Sequence, residues 1–141
     1  MRWTKTVASE AFDEVEGADF VASCRDEMLA NAWSALRKHE CDMGQPYYAL
    51  LEERTRNPDS TTEQLAEALS RRRSGQSVLS PAALRKTLQR ARMRFSDLLL
   101  DEVARMLGTA CPSRDALERE VIELGLHAYC RSALDRRFPP A

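Results

Sequence analysis

Arg85, Lys86, Gln89, Arg90 and Arg92 fall within one short stretch, SPAALRKTLQRAR. These side chains carry a definite chemistry. The planar arginine fork makes paired hydrogen bonds to a phosphate or to a guanine edge, and a glutamine amide matches an adenine edge. Arg71, Arg72 and Arg73 lie just upstream and Arg94 just downstream. From Thr61 to Ser96 these eight bases stand against two acids, Glu63 and Glu67, an excess of six. The whole chain carries −1, so about −7 is left elsewhere. A basic island in an otherwise acidic chain implies contact with a polyanion at one place rather than general stickiness. The competing explanation is a solvated basic helix in an all-α protein.

Two short helical patterns must position these residues. Leu65, Ala66 and Leu69 mark the inner face of the first, and Leu84, Leu88 and Ala91 that of the second. Ser60, Thr61 or Thr62 caps the first helix, with Glu63 or Gln64 as capping-box partner. Ser80-Pro81 starts the second with a hydroxyl cap and a proline in the first turn. The polar segment Arg71 to Leu79, centred on Gly75, joins them. Packed in this way the pair is a helix-turn-helix, with Arg85, Lys86, Gln89, Arg90 and Arg92 on the outer faces of the second helix. Such a helix fits the DNA major groove. Ser80 and the N–H groups after it suit a phosphate at the positive helix end. Most of the bases should be phosphate clamps that position rather than specify.

The remaining chain also reads as helical. Phe20, Val21, Cys24, Met28, Leu29, Ala32, Trp33 and Leu36 form one face from about Ala18 to Glu40. Cys41 to Gly44 breaks it. Pro46 opens a helix through about Arg54, and Asn57-Pro58-Asp59 stops it. The helix begun at Ser80 continues through Phe95, Leu98 and Leu99 to about Leu107, where Gly108 and Pro112 end it. Ser113 caps a last helix to Arg137, weakened by Gly125. The expected fold is all-α, of about five helices, divided as a tail or linker (1–17), a helix-turn-helix domain (18–107) and a helical extension (108–141). Only five glycines and six prolines in 141 residues favour this over a turn-rich β fold. No apolar run approaches the ~18 residues of a membrane span. The start, MRWTKTVASEAFDEVEG, lacks an apolar signal core, so a cytoplasmic location is expected.

EQLAEALS followed by SPAALRKTLQRARMRFSDLL resembles the C-terminal promoter-reading domain of bacterial extracytoplasmic-function sigma factors. The similarity runs through Glu63, Leu65, Ala66, Leu69, Ser80, Ala83, Leu84, Arg85, Leu88, Arg90, Ala91 and Arg92, and spans roughly Ala18 to Leu107. It implies binding of the minus-thirty-five promoter element through the second helix and docking on the flap of the RNA polymerase β subunit. The implied DNA-binding residues are Ser80, Ala82, Ala83, Arg85, Lys86, Gln89 and Arg90, with Arg92 on the backbone. Two departures stand out. The Arg71–Leu79 turn is longer than the family's, and nothing resembles the family's other domain, for which Met1 to Gly17 is too short. The expectation is therefore a fragment of a longer factor or a stand-alone relative.

Other chemistry is less well supported. Cys24, Cys41, Cys111 and Cys130 contain no C-x-x-C and read as free thiols. His39/Cys41 and His127/Cys130 have ligand-like spacings, but incidental pairs on helix ends are the plainer reading, and no metal or cofactor is expected. Glu52/Glu53 and Asp101/Glu102 read as solvated surface, because adjacent helical residues diverge. No phosphate loop, nucleophile elbow or H-E-x-x-H occurs, so no enzyme is expected. Trp33 reads as core, and Tyr47-Tyr48 as one ring inward and one partly exposed. A second function class remains: a sigma-like module that binds RNA polymerase or an anti-sigma factor without DNA specificity. The last helix either folds back on the core or pairs with a second copy in a homodimer.

Overall fold

The computed structural model describes the backbone of residues 7–73, 79–109 and 111–139, and side-chain burial in α1 from Asp19 onward. Six helices and no strand occur among them: α1 (Val7–Met43), α2 (Tyr47–Arg56), α3 (Thr62–Arg72), α4 (Pro81–Leu107), α5 (Arg114–Glu123) and α6 (His127–Arg137). The fold is all-α. No described helix is long and apolar enough to cross a membrane.

Helix α4 is the axis, and every other helix packs on it. Its buried residues Leu84, Leu88, Ala91, Phe95, Leu99 and Val103 recur at three- and four-residue steps. With 27 residues it runs about 40 Å, long enough to serve two groups of partners. Ser80 caps it, Pro81 occupies the first turn, and Gly108 ends it at φ +70 in the left-handed region. Helix α3 opens with a capping box. Thr61 Oγ1 accepts from the Gln64 backbone N–H, and the Gln64 side chain accepts from the Thr61 N–H. Helix α2 has no side-chain cap of its own at Pro46. Glu40 of α1 supplies one, its carboxylate accepting from the Ala49 N–H at 3.0 Å. Arg54 closes the α2–α3 turn by donating to the carbonyls of Pro58 and Ser60.

Three expectations need correction. Helix α1 begins at Val7, not near Ala18. The segment Val7–Gly17 is rich in alanine and glutamate and has no proline, so it propagates a helix without an apolar period. Phe20 and Val21, assigned to the packed face, are exposed, Phe20 at 68%. The packed face starts with half-buried Cys24 and buried Met28 and runs through Ala32 and Leu36. The last helix is two helices. Gly125 sits at φ +75, its N–H donates to the Ile122 carbonyl, and the Leu126 N–H reaches back to Val121 at 2.8 Å. That is a helix-terminating glycine motif, not a weak spot in a continuous helix.

Helices α5 and α6 fold back onto α4. Leu117, Val121, Leu124, Leu126, Cys130, Ala133 and Leu134 join the same core as the first four helices. Polar ties fix α6 across the middle of α4. The Ala133 N–H donates to buried Ser96 Oγ at 3.0 Å. Arg136 donates to both Asp97 carboxylate oxygens and to the Met93 carbonyl, and Arg137 pairs with Asp97 and Asp101. From the other end Arg114 holds the Phe138 carbonyl and Asp135.

Candidate nucleic-acid interface

The α3–α4 pair buries the side chains expected to join it. Leu65, Leu69, Leu84, Leu88 and Ala91 are all buried and Ala66 is half-buried. Arg71 and Arg72, expected in the turn, are the last residues of α3. Gly75, the expected centre of that turn, lies outside the described residues.

Burying that face turns the basic residues outward. Ala82, Lys86 and Arg90 follow one another at four-residue steps along the solvent side of α4, opposite the Leu84–Leu88 stripe. Arg85, Gln89 and Arg92 form a second row on its flank. All six are exposed, whereas Ala83 is half-buried. Ser80 is exposed too, but its oxygen is engaged, accepting from the Ala83 N–H at 3.2 Å. Pro81 has no N–H. Ala82 therefore supplies the one first-turn N–H of Pro81–Ala83 without an acceptor among the described residues. The helix end is a weaker phosphate seat than the sequence suggests.

The basic island divides into two kinds of residue. Arg71 pairs with Glu67 at 2.6 Å. Arg72 pairs with Glu52 and, at 3.8 Å, with Glu53, and lies over the Tyr48 ring. Arg73 donates to the Gly44 carbonyl. Arg94 approaches His39 Nδ1 at 3.5 Å. The Arg71 pair lies within α3, whereas Arg72, Arg73 and Arg94 tie α3 and α4 to α1, α2 and the turn between them. Arg85, Lys86, Arg90 and Arg92 have no carboxylate partner among the described residues. Of the eight bases, four free cations remain on one exposed helical surface among the described residues.

The accessible face is short. Ala82 to Arg92 spans about 15 Å at 1.5 Å per residue, and α6 crosses immediately beyond, at Met93 to Asp97. Between α6, α1, α2 and the Gln89–Arg92 flank lies a cleft of about 480 Å³. Trp33, Phe95 and Tyr129 form its aromatic wall, with Trp33–Phe95 centroids 5.0 Å apart and Phe95–Tyr129 6.3 Å apart. The sequence pattern assigned Trp33 and Phe95 to apolar helical faces. It carries no signal that residues so far apart in the chain meet around an open space, or that Tyr129 is 52% exposed.

The remaining candidates are structural in their surroundings. Trp33 packs edge-on to Tyr48 at 5.9 Å. Tyr47 and Tyr48 do not split. Both are half-buried, Tyr47 stacked on His39 and Tyr48 donating its hydroxyl to Glu52. The hydrogen bond from Arg72 holds the Glu52 carboxyl below its usual range, while burial and the Glu52 contact raise the Tyr48 phenol. Burial and the nearby Arg94 guanidinium lower His39. Cys130 is fully buried, which pushes its thiol up to about 12. His127 instead faces Glu118 at 3.5 Å. Among the described residues no three histidine, cysteine or acidic side chains come together as a metal-binding group.

Fold and surface thus define an all-α protein built on a capped α3–turn–α4 unit with a short basic face. Comparison of the chain with family models, with curated proteins and with solved structures finds no match.

Proposed function

We propose that this chain is a sigma-type promoter-binding domain that reads duplex DNA at the minus-thirty-five element with the first half of α4. It does so within an RNA polymerase holoenzyme and performs no catalysis. One observation carries the reading: Arg85, Lys86, Arg90 and Arg92 stand exposed on the second helix of a capped helix-turn-helix with no acidic partner among the described residues, while Arg71 and Arg72 are paired. Free cations at that place suit phosphates and guanine edges. In this reading Arg85, Gln89 and Arg90 contact bases, and Lys86 and Arg92 hold the backbone. Ser80 fixes the helix start, so that Ala82 and Ala83 approach the groove. The Arg85→Ala/Arg90→Ala double variant should lose preference for promoter over random duplex. Each bidentate contact is worth about 1–3 kcal/mol of discrimination. Unchanged preference in that variant would overturn the reading.

A second reading has its own support. Because α6 crosses α4 directly after Arg92, the free face is shorter than an uncovered helix would offer. That favours a module that binds RNA polymerase, at its β flap, or an anti-sigma factor without reading DNA. Binding of polymerase core together with equal affinity for promoter and random duplex would select it.

A further inference from the structure

We infer that the α1–α4–α6 cleft is a binding site for a small planar aromatic carboxylate, and that its occupant competes with DNA for Arg92. The competition rests on the DNA reading; the site does not. At about 480 Å³ the cleft is in the size range of small-molecule pockets, roughly 300–1,000 Å³. Its wall is apolar and aromatic: Trp33, Leu51, Met93, Phe95 and Tyr129. Ring edges and faces are both presented, since Trp33 and Phe95 are tilted and Phe95 and Tyr129 meet edge to face. A flat ring therefore finds partners that an alkyl chain does not.

The polar groups of the cleft specify the charge of the occupant. Its lining holds two guanidinium groups and no carboxylate. Arg136 is already engaged by Asp97, the Met93 carbonyl and Ser132 Oγ. Arg92 has no such partner among the described residues, so it is the cation left for an anion. Two further donors point the same way. Ser96 is 2% exposed and lines the cleft. Its oxygen accepts from the Ala133 N–H, and its own proton has no acceptor among the described residues. The Gln89 amide on the rim is equally uncommitted. Donors without acceptors around an apolar floor select a carboxylate carried on a ring.

Arg92 and Gln89 belong to both the cleft and the outer flank of α4. A carboxylate held by Arg92 removes one phosphate contact. By linkage, DNA and ligand then weaken each other by the same factor.

The test is a ¹H–¹⁵N NMR titration of the full chain with 2-naphthoate, without DNA. The expected result is saturable shifts at the Trp33 indole N–H and at Gln89, Arg92 and Ser96. Neutral 2-naphthylmethanol should bind at least about tenfold more weakly, which corresponds to about 1.4 kcal/mol. Arg92→Gln should reduce naphthoate binding to the level of the alcohol. Ala128→Trp, which places an indole in the cleft from an exposed position, should abolish it. No shift at these groups up to millimolar naphthoate, equal binding of the alcohol, or undiminished binding in Ala128→Trp would overturn the site. Duplex affinity is then measured with and without naphthoate. If the duplex binds and naphthoate leaves its affinity unchanged, the competition is wrong. If no duplex binds at all, the DNA reading fails while the NMR result still decides the site.

Discussion

Single residues set the helix boundaries and the reactivity of this protein. Thr61 and Ser80 each satisfy an N–H that the helix cannot satisfy for itself. Thr61→Ala and Ser80→Ala should each lower unfolding free energy by about 1 kcal/mol in urea titrations. Cys130 lies at the α4–α6 contact and its thiol is pushed up to about 12, so it stays protonated and covered at neutral pH. A disulfide-exchange reagent should modify exposed Cys41 and Cys111 in the native protein and reach Cys130 only at the rate of unfolding. His39 gives a pH dependence. Its folded pKa lies below its ordinary value of 6.5, so between the two values the unfolded chain binds more protons. Stability should therefore be full above 6.5 and fall as pH drops below it. His39→Gln should remove that part of the pH dependence in denaturation midpoints measured between neutral and mildly acidic pH.

Among the elements, α4 and α6 are the pair on which the fold depends. The capping signals at Thr61, Ser80, Gly108 and Ser113 are local, and they were readable because a hydroxyl cap, an N-terminal proline or a terminal glycine acts within a few residues. Gly125 carried the same kind of signal. Its neighbours Leu124 and Leu126 continue an apolar pattern across it, which masks the turn. The extra length of α1 was not readable, because a helix lacking an apolar stripe differs little from a polar tail in composition. The contact of α6 with α4 was not readable either. It is made by Ser96, Asp97 and Asp101 with Ala133, Arg136 and Arg137, at separations that no periodicity reports. Since α6 covers part of α4, removing residues 108–141 should expose core leucines. The truncated chain should show a lower melting midpoint and dye-detectable apolar surface. Leu134→Ala, at a fully buried contact, should cost about 2–5 kcal/mol.

For the whole molecule, the fold class was legible and the charge distribution only half so. An all-α fold follows from apolar spacing and few breakers, although about five helices were expected and six occur among the described residues. The excess of six charges overstated the free surface, because the pairing of Arg72 with Glu52 and Glu53 is a tertiary fact. What remains is a compact set of four cations on α4, and it makes a quantitative demand. Duplex affinity should fall with salt by about 0.9 in log K per log salt for each phosphate contact, so about −2 for the two made by Lys86 and Arg92. Measuring duplex binding by fluorescence anisotropy across roughly 50–200 mM salt tests this most directly. The account predicts that slope for wild type, a shallower slope for Lys86→Ala, and a preference for one sequence that Arg85→Ala/Arg90→Ala removes. A wild-type chain that binds no duplex even at low salt would contradict it.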